Sequence, residues 1–154
     1  TLYYGDEAGL CGFTDPDNRR TYPWGRENKE LIDFHREMIR IHKKYPVLSH
    51  GSLKFLYGEH NVIAYGRFDM KERVIVAFHN GQGDKTFMLP VWQVGVCSGH
   101  SLKRVMLTGD WGYTTEPQEY QVEGGELTLT LSTTSAIVLV EVVPEEEKEE
   151  KTEQ

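Results

Sequence analysis

The pattern of hydrophobic and polar residues divides the chain into one helical segment and a longer β segment. Between residues 30 and 45, apolar side chains recur every three or four positions, at Leu31, Phe34, His35, Met38, Ile41 and Tyr45, with Ile32 and Ile39 widening the stripe. This spacing predicts one amphipathic helix over Glu30–Tyr45. Asn28 is placed to cap its start, and Pro46 is placed to end it.

From Val47 onward the apolar residues follow a period of two. This pattern predicts eight strands, at Ser52–Tyr57, Val62–Phe68, Arg73–His79, Thr86–Val91, Lys103–Leu107, Tyr120–Glu123, Glu126–Leu131 and Ala136–Val142. Turn-forming residues at 58–61, 69–72 and 81–84 predict hairpin-type connections between the earlier strands. The continuous apolar run Val138–Val140 indicates a central strand. Short strands at this spacing predict an antiparallel β-sandwich.

The start of the chain has neither pattern. The short apolar run Thr1–Tyr4 predicts the end of a buried strand, and a loop extends from Gly5 to Arg26. The loop is rich in Pro, Asp, Asn and Gly, which favour turns. A connection of this length in a compact domain is more often functional than not.

Charge and composition narrow the function classes. The 154 residues carry a formal net charge of −7, part of it in the run Glu145–Glu150, so residues 144–154 are predicted to form an acidic disordered tail. The acidic balance argues against nucleic acid and anionic membranes as partners, and no apolar stretch reaches the roughly 20 residues of a membrane span. The absence of an initial Met suggests that the natural N-terminus precedes Thr1, which leaves a lost signal peptide open.

Cysteine and histidine spacing gives no sign of a metal or cofactor. Cys11 and Cys97 lie far apart, and two free thiols in a reducing compartment are favoured over a disulfide. That reading favours a cytoplasmic over a secreted location. The six histidines lack the spacing of a zinc site, so we expect no metal and no cofactor.

The carboxylates near the N-terminus are poorly arranged for acid/base catalysis. Asp6 and Glu7 are adjacent, so on an extended chain they point in opposite directions. Asp15 and Asp17 flank Pro16 in a turn, where a local structural role is favoured. The sequence therefore predicts no catalytic residue among these four.

Two other constellations have candidate binding chemistry. Asp15 and Arg19 could form an ion pair, or could offer an acceptor and a forked donor to the vicinal hydroxyls of a sugar. Arg20 has no evident partner and is interpreted as structural. Trp24, Trp92 and Trp111 could each pack on a sugar ring or serve in a core, and Trp111 is the most plausible stacking residue because it lies in a turn-like segment.

The N-terminal motifs resemble a known family. Tyr3-Tyr4-Gly5-Asp6-Glu7-Ala8-Gly9-Leu10, then Gly12-Phe13-Thr14-Asp15-Pro16-Asp17-Asn18-Arg19-Arg20 and Tyr22-Pro23-Trp24, are similar to the last barrel strand and following loop of glycoside hydrolase family 13, the α-amylase family. Within that family, these motifs resemble those of the neopullulanase, cyclomaltodextrinase and maltogenic amylase group. The helix and its exit through Pro46-Val47-Leu48 and Gly51-Ser52-Leu53 are similar to the final barrel helix of that group. The match covers about residues 1–51, and the remainder matches in architecture.

The resemblance implies a TIM barrel followed by a C-terminal Greek-key β-sandwich, and retaining cleavage of α-1,4 and sometimes α-1,6 glucosidic bonds. The family uses an Asp nucleophile, a Glu acid/base and a second Asp on barrel strands four, five and seven. Thr1 would lie on strand eight, so all three would precede this chain. The Asp and Arg of the family's Asp-Pro-X-X-Arg loop contact glucose units, and these positions are Asp15 and Arg19 here.

These implications give three expectations. Residues 1–46 are the remnant of barrel strand 8, its loop and helix 8, residues 47–143 are the β-sandwich, and the chain alone is inactive. Its partners would be the missing N-terminal barrel and an α-glucan or maltooligosaccharide in the intact enzyme, and the oligomeric state stays open. The alternatives are a stand-alone carbohydrate-binding module with Trp92 and Trp111 as a platform, or a purely structural domain.

Overall fold

The computed structural model describes residues 2–144 and divides the chain into two compact units, residues 1–44 and 45–154. Thr1 and residues 145–154 lie outside the described residues, and with them most of the predicted acidic tail.

The first unit contains the predicted helix and two short 3-10 helices, Asp6–Ala8 and Asp17–Arg19. Helix α1 spans Lys29–Lys44, close to the predicted bounds. The backbone N–H of Leu31 donates to Asn28 Oδ1 at 3.0 Å, which confirms the predicted N-cap. His42, Lys43 and Lys44 lie in the last turn, where positive charge stabilises the helix dipole.

The predicted buried strand at residues 1–4 is wrong for the part that the structure describes. Leu2, Tyr3 and Tyr4 are 56%, 58% and 46% exposed and lie outside any strand. A strand needs a neighbour for its backbone hydrogen bonds, and here the N–H of Asp6 donates to the Tyr3 carbonyl in a turn instead.

The second unit is an antiparallel β domain that begins with a short helix, α2, at Val47–His50. This helix corrects the prediction that the period of two begins at Val47, because Pro46 stands at its N-cap. Nine strands follow, at β1 Ser52–Glu59, β2 Val62–Phe68, β3 Arg73–His79, β4 Lys85–Leu89, β5 Ser101–Gly109, β6 Gly112–Thr114, β7 Glu119–Gln121, β8 Leu127–Leu131 and β9 Ser135–Val142.

The strands form two sheets that enclose one core. The larger sheet has the order β1-β2-β3-β9-β5-β6, with β7 also paired to β5, and the smaller sheet pairs β4 with β8. Strand β9 is central, as its continuous apolar run predicts. The alternating strand β8 buries its three leucines and exposes its two threonines. The leucines join side chains of the larger sheet in one core cluster, as in a sandwich.

Two local predictions of connectivity are corrected by the topology. Residues 81–84 link β3 to β4, which belong to different sheets, so this segment is a crossover and no hairpin turn. The strand predicted at Thr86–Val91 ends at Leu89, because Pro90 supplies no N–H to the ladder and Val91–Val94 forms a 3-10 helix.

Candidate functional site

Asp15 and Arg19 are brought together by one turn of the loop. The Asp17 N–H donates to the Thr14 carbonyl at 2.8 Å, and the 3-10 helix Asp17–Arg19 then returns the chain over Asp15. Arg19 Nε lies 2.6 Å from Asp15 Oδ1, with the two side chains 72% and 62% exposed. An ion pair this exposed contributes little to stability. Because both side chains are open to solvent, a ligand could reach the carboxylate acceptor and the forked guanidinium donor.

A second ion pair in the same loop gives Arg20 the partner that the sequence did not show, and it agrees with the structural role predicted for this residue. Arg20 Nε and Nη2 donate to Asp17 Oδ1 at 2.8 and 2.6 Å, and Asp17 Oδ2 accepts the Phe13 N–H at 3.0 Å. The Arg20 guanidinium and then the Phe13 N–H hold the pKa of Asp17 below its ordinary value of 3.8. Arg20 therefore has a partner after all, and the pair braces the turn that carries Asp15 and Arg19.

An open groove of about 720 Å³ lies beside this pair within the first unit. Its lining includes Arg19, Arg20, Pro23 and Arg26. Next to it, the Arg26 N–H donates to the Pro23 carbonyl at 2.8 Å, and Gly25 takes φ 74°. This turn places Trp24 on the surface, 80% exposed, with its ring centroid 4.6 Å from that of Tyr22.

Asp6 and Glu7 serve the local backbone. Asp6 Oδ2 accepts the Tyr3 N–H at 2.9 Å, and Glu7 Oε2 accepts the Gly5 N–H at 3.1 Å. These two hydrogen bonds give both carboxylates a structural role. Glu7 also affects Tyr22: partial burial is the main cause that raises the pKa of Tyr22 above its usual value, and the charge of Glu7 is the second cause.

Trp111 and Trp92 lie at opposite ends of the β domain. At one end of the domain, the end of β5 pairs with the start of β9, and the end of β8, which precedes β9, pairs with the start of β4. Trp111 follows β5 and therefore lies at that end. Trp92 follows the last residue of β4 and lies at the other end, so one platform cannot contain both residues. Each indole is more than half exposed, and Trp111 lies over Gly109 in the β5–β6 hairpin.

A buried charged cluster joins three distant segments of the second unit. His100 Nδ1 lies 2.7 Å from Glu141 Oε1, and Arg73 Nη1 lies 3.4 Å from Glu141 Oε2. The His100 and Glu141 side chains are 5% and 3% exposed. The sequence reveals none of this, because the residues are separated by 27 and 41 positions and follow no motif.

The described residues 2–144 contain no cluster of three or more His, Cys, Asp or Glu that could hold a metal ion. In the same residues, no helix is long and apolar enough to cross a membrane. Cys11 and Cys97 are both exposed free thiols, as expected.

Comparison with known proteins now places the chain. No protein-family model matches it. It is 31% identical over 150 residues to an amylopullulanase of Thermoanaerobacterium saccharolyticum, covering 90% of this chain and 11% of that protein. It is 30% identical over 142 residues to neopullulanase 2 of Thermoactinomyces vulgaris, covering 90% of this chain and 22% of the relative.

Solved structures agree with the sequence matches. An Anoxybacillus α-amylase superposes with a TM-score of 0.76 at 25% identity, covering 92% of this chain and 28% of that one. A cyclomaltodextrinase superposes with a TM-score of 0.70 at 26% identity, covering 92% and 23%. The chain thus spans less than a third of the length of each of these four proteins. By sequence and by fold, the chain belongs to the α-amylase family of glycoside hydrolases and matches one part of those longer enzymes.

Proposed function

We propose that the chain is part of an enzyme that hydrolyses α-glucans with retention, cleaving α-1,4 glucosidic bonds, with α-1,6 bonds as further candidates. The matched relatives are an amylopullulanase, a neopullulanase and a cyclomaltodextrinase, which supports a substrate of this class. In this proposal residues 1–46 belong to the last barrel unit, and residues 47–143 form a supporting domain.

The single observation that carries the proposal is the exposed pair of Asp15 and Arg19. A braced turn holds the carboxylate 2.6 Å from the guanidinium, at a position where the pair adds little to stability. A carboxylate beside a planar donor fork suits two neighbouring sugar hydroxyls, which can donate to one and accept from the other. Asp15 and Arg19 are therefore proposed to bind a glucose unit of the substrate.

The chain by itself is proposed to be inactive. Retaining cleavage needs two carboxyl groups about 5 Å apart, one as nucleophile and one as acid/base. In the N-terminal unit, Asp6, Glu7, Asp15 and Asp17 are each engaged with a neighbouring backbone or arginine. The catalytic carboxylates would come from a preceding barrel, which is the proposed partner of this chain.

The proposed inactivity of the chain by itself is tested by assaying the purified chain for release of reducing sugar from pullulan, soluble starch and β-cyclodextrin. We expect no release above the background of a buffer control. Release that tracks the protein through purification would contradict the proposed absence of catalytic residues.

The binding role is tested separately by titrating the ¹⁵N-labelled chain with maltotriose. We expect shifts of the amides of residues 14, 15 and 17–20. Asp15→Asn or Arg19→Lys should weaken the apparent affinity for maltotriose at least fivefold. Arg36→Gln is a matched control, because Arg36 and Asp33 form another exposed pair at 3.0 Å in the same unit. An equal effect of all three substitutions, or no shift in this loop, would refute the assignment.

A stand-alone carbohydrate-binding module is the second candidate, supported by the 58% exposure of Trp111. It would show quenching of tryptophan fluorescence by maltodextrin that is lost in Trp111→Ala and kept in Asp15→Asn.

A further inference from the structure

A second groove lies at the β1–β2 hairpin, wholly within the β domain. It has a volume of about 800 Å³, within the usual range of ligand sites. Its lining combines aromatic rings with polar tips, contributed by Phe55, Tyr57, Glu59, His60, Phe78 and Asn80 among others. Strand β1 is the edge of the larger sheet, so the groove opens directly to solvent.

One wall of the groove is formed by the rings of Phe55 and Phe78 on the outer sheet face, and the ring of Tyr65 lies between them. The Phe55 and Tyr65 centroids are 6.3 Å apart, and those of Tyr65 and Phe78 are 6.1 Å apart. Phe55 is 66% exposed and Phe78 is 42% exposed. Rings that already support one another present a rigid apolar surface at little entropic cost, as a flat sugar face requires.

The rim of the groove at the hairpin tip is polar. Asn80 donates its backbone N–H to the Asn61 carbonyl at 2.9 Å, which fixes the hairpin tip beside the end of β3. His60 Nδ1 lies 3.6 Å from Glu59 Oε2, so the one carboxylate of the rim has the imidazole as its neighbour. The remaining rim groups are amides. Amide and imidazole groups can both donate to and accept from hydroxyls, and the carboxylate accepts from them, as a polyhydroxyl ligand requires.

The hairpin tip that carries the rim residues is a two-residue turn. His60 and Asn61 have φ of 50° and 64°, as in a two-residue type I′ turn. Such turns favour Asn-Gly, and His and Asn are among the non-glycine residues that most readily adopt the left-handed region.

We propose that this hairpin groove binds an α-glucan chain, with Phe55 and Phe78 packing on sugar faces and His60 and Asn61 bonding to hydroxyls. The choice of an α-glucan rests on the proposed function, whereas the fit to a polyhydroxyl ligand rests on the groove itself. It would be a carbohydrate site in addition to the loop of Asp15 and Arg19, and it belongs to the other unit of the chain.

The test is a titration of the ¹⁵N-labelled chain with maltoheptaose, read from the amides of residues 58–62 and 80. We expect saturable shifts there, and about tenfold weaker binding in Phe55→Ala, which removes the most exposed ring of the wall. The double variant His60→Asn, Asn61→Gly improves the turn, so it should keep or raise the melting temperature while also weakening binding. Met88→Ala, at an exposed side chain on β4 that does not line the groove, should bind as the unchanged protein does.

Failure of this inference and failure of the proposed function give different signals. Absence of shifts in the hairpin, or unchanged binding by Phe55→Ala and the turn variant, would overturn the groove whatever the loop of residues 14–20 does. Shifts of the same hairpin amides with protein concentration alone would indicate a second copy as occupant and would also overturn it. Shifts in the hairpin with none in residues 14–20 would support the groove and count against the Asp15 and Arg19 site.

Discussion

Replacement of Glu141 by Ala should be among the most damaging single changes in the β domain. Its carboxylate is 3% exposed and is the shared partner of His100 at 2.7 Å and Arg73 at 3.4 Å. Removal of the carboxylate leaves the Arg73 guanidinium without its counter-charge, and Arg73 Nε already lacks a hydrogen-bond partner among the described residues.

The magnitude follows from the burial of the partners. Removing one member of a fully buried ion pair costs about 3–5 kcal/mol. The Arg73 side chain is 20% exposed and can recover some hydration, so we expect the lower end of that range, about 3 kcal/mol. For a domain of this size that loss lowers the melting temperature by about 10–20 °C.

Urea unfolding at pH 7, followed by far-UV circular dichroism, measures this free energy. Glu119→Ala is the matched control, because its carboxylate is exposed and its contact, with Ser101 Oγ, is 3.4 Å long. We expect the control to change the free energy of unfolding by less than about 0.5 kcal/mol. A loss below about 1 kcal/mol for Glu141→Ala would refute the view that this cluster holds the domain together.

Three further predictions concern other parts of the chain. Asn28→Ala should reduce the stability of α1 by about 1 kcal/mol, seen as faster amide exchange in its first turn, whereas Asn28→Asp should restore protection. The chemical shift of the Phe13 amide should report the titration of Asp17 with a midpoint below pH 3.8, because the folded-state pKa of Asp17 is depressed. The stabilisation that the Asp17 carboxylate gives the folded chain is present above pH 3.8 and is lost as the pH falls through the folded-state pKa. Asp17→Asn should abolish that titration, and a midpoint at or above 3.8 would contradict the bonding described. Leu129→Ala removes a side chain that is 2% exposed and should destabilise the domain by about 2–5 kcal/mol in urea, while Thr130→Ala on the wet face should cost under about 1 kcal/mol.

The elements of the fold were largely readable from local pattern. Strands β2 and β3 have the predicted bounds, and α1 begins after the predicted cap. A period of two or of 3.6 is written into neighbouring residues, because each element must place its apolar side chains on one face. The same local logic fails at residues 1–4, where an apolar run without a neighbouring strand has no partner for its backbone.

The candidate loop was also predicted from local spacing. Asp15 and Arg19 lie four positions apart, so a single turn decides whether they meet, and turn chemistry is visible in the sequence. The partner of Arg20 was missed although Asp17 lies three positions away, because the direction in which each side chain leaves a turn depends on backbone angles that composition does not specify.

The sequence by itself therefore determined helix α1 with its cap and most of the strands, and it offered the Asp15–Arg19 ion pair as one of two alternatives. The tertiary structure alone decided that β9 lies between β3 and β5, that residues 81–84 cross between sheets, and that Trp92 and Trp111 lie at opposite ends. It also decided that Arg73, His100 and Glu141 share one buried cluster. The reason is physical: strand order and register are set by backbone pairing and burial between segments distant in the chain, and no local period encodes those distances.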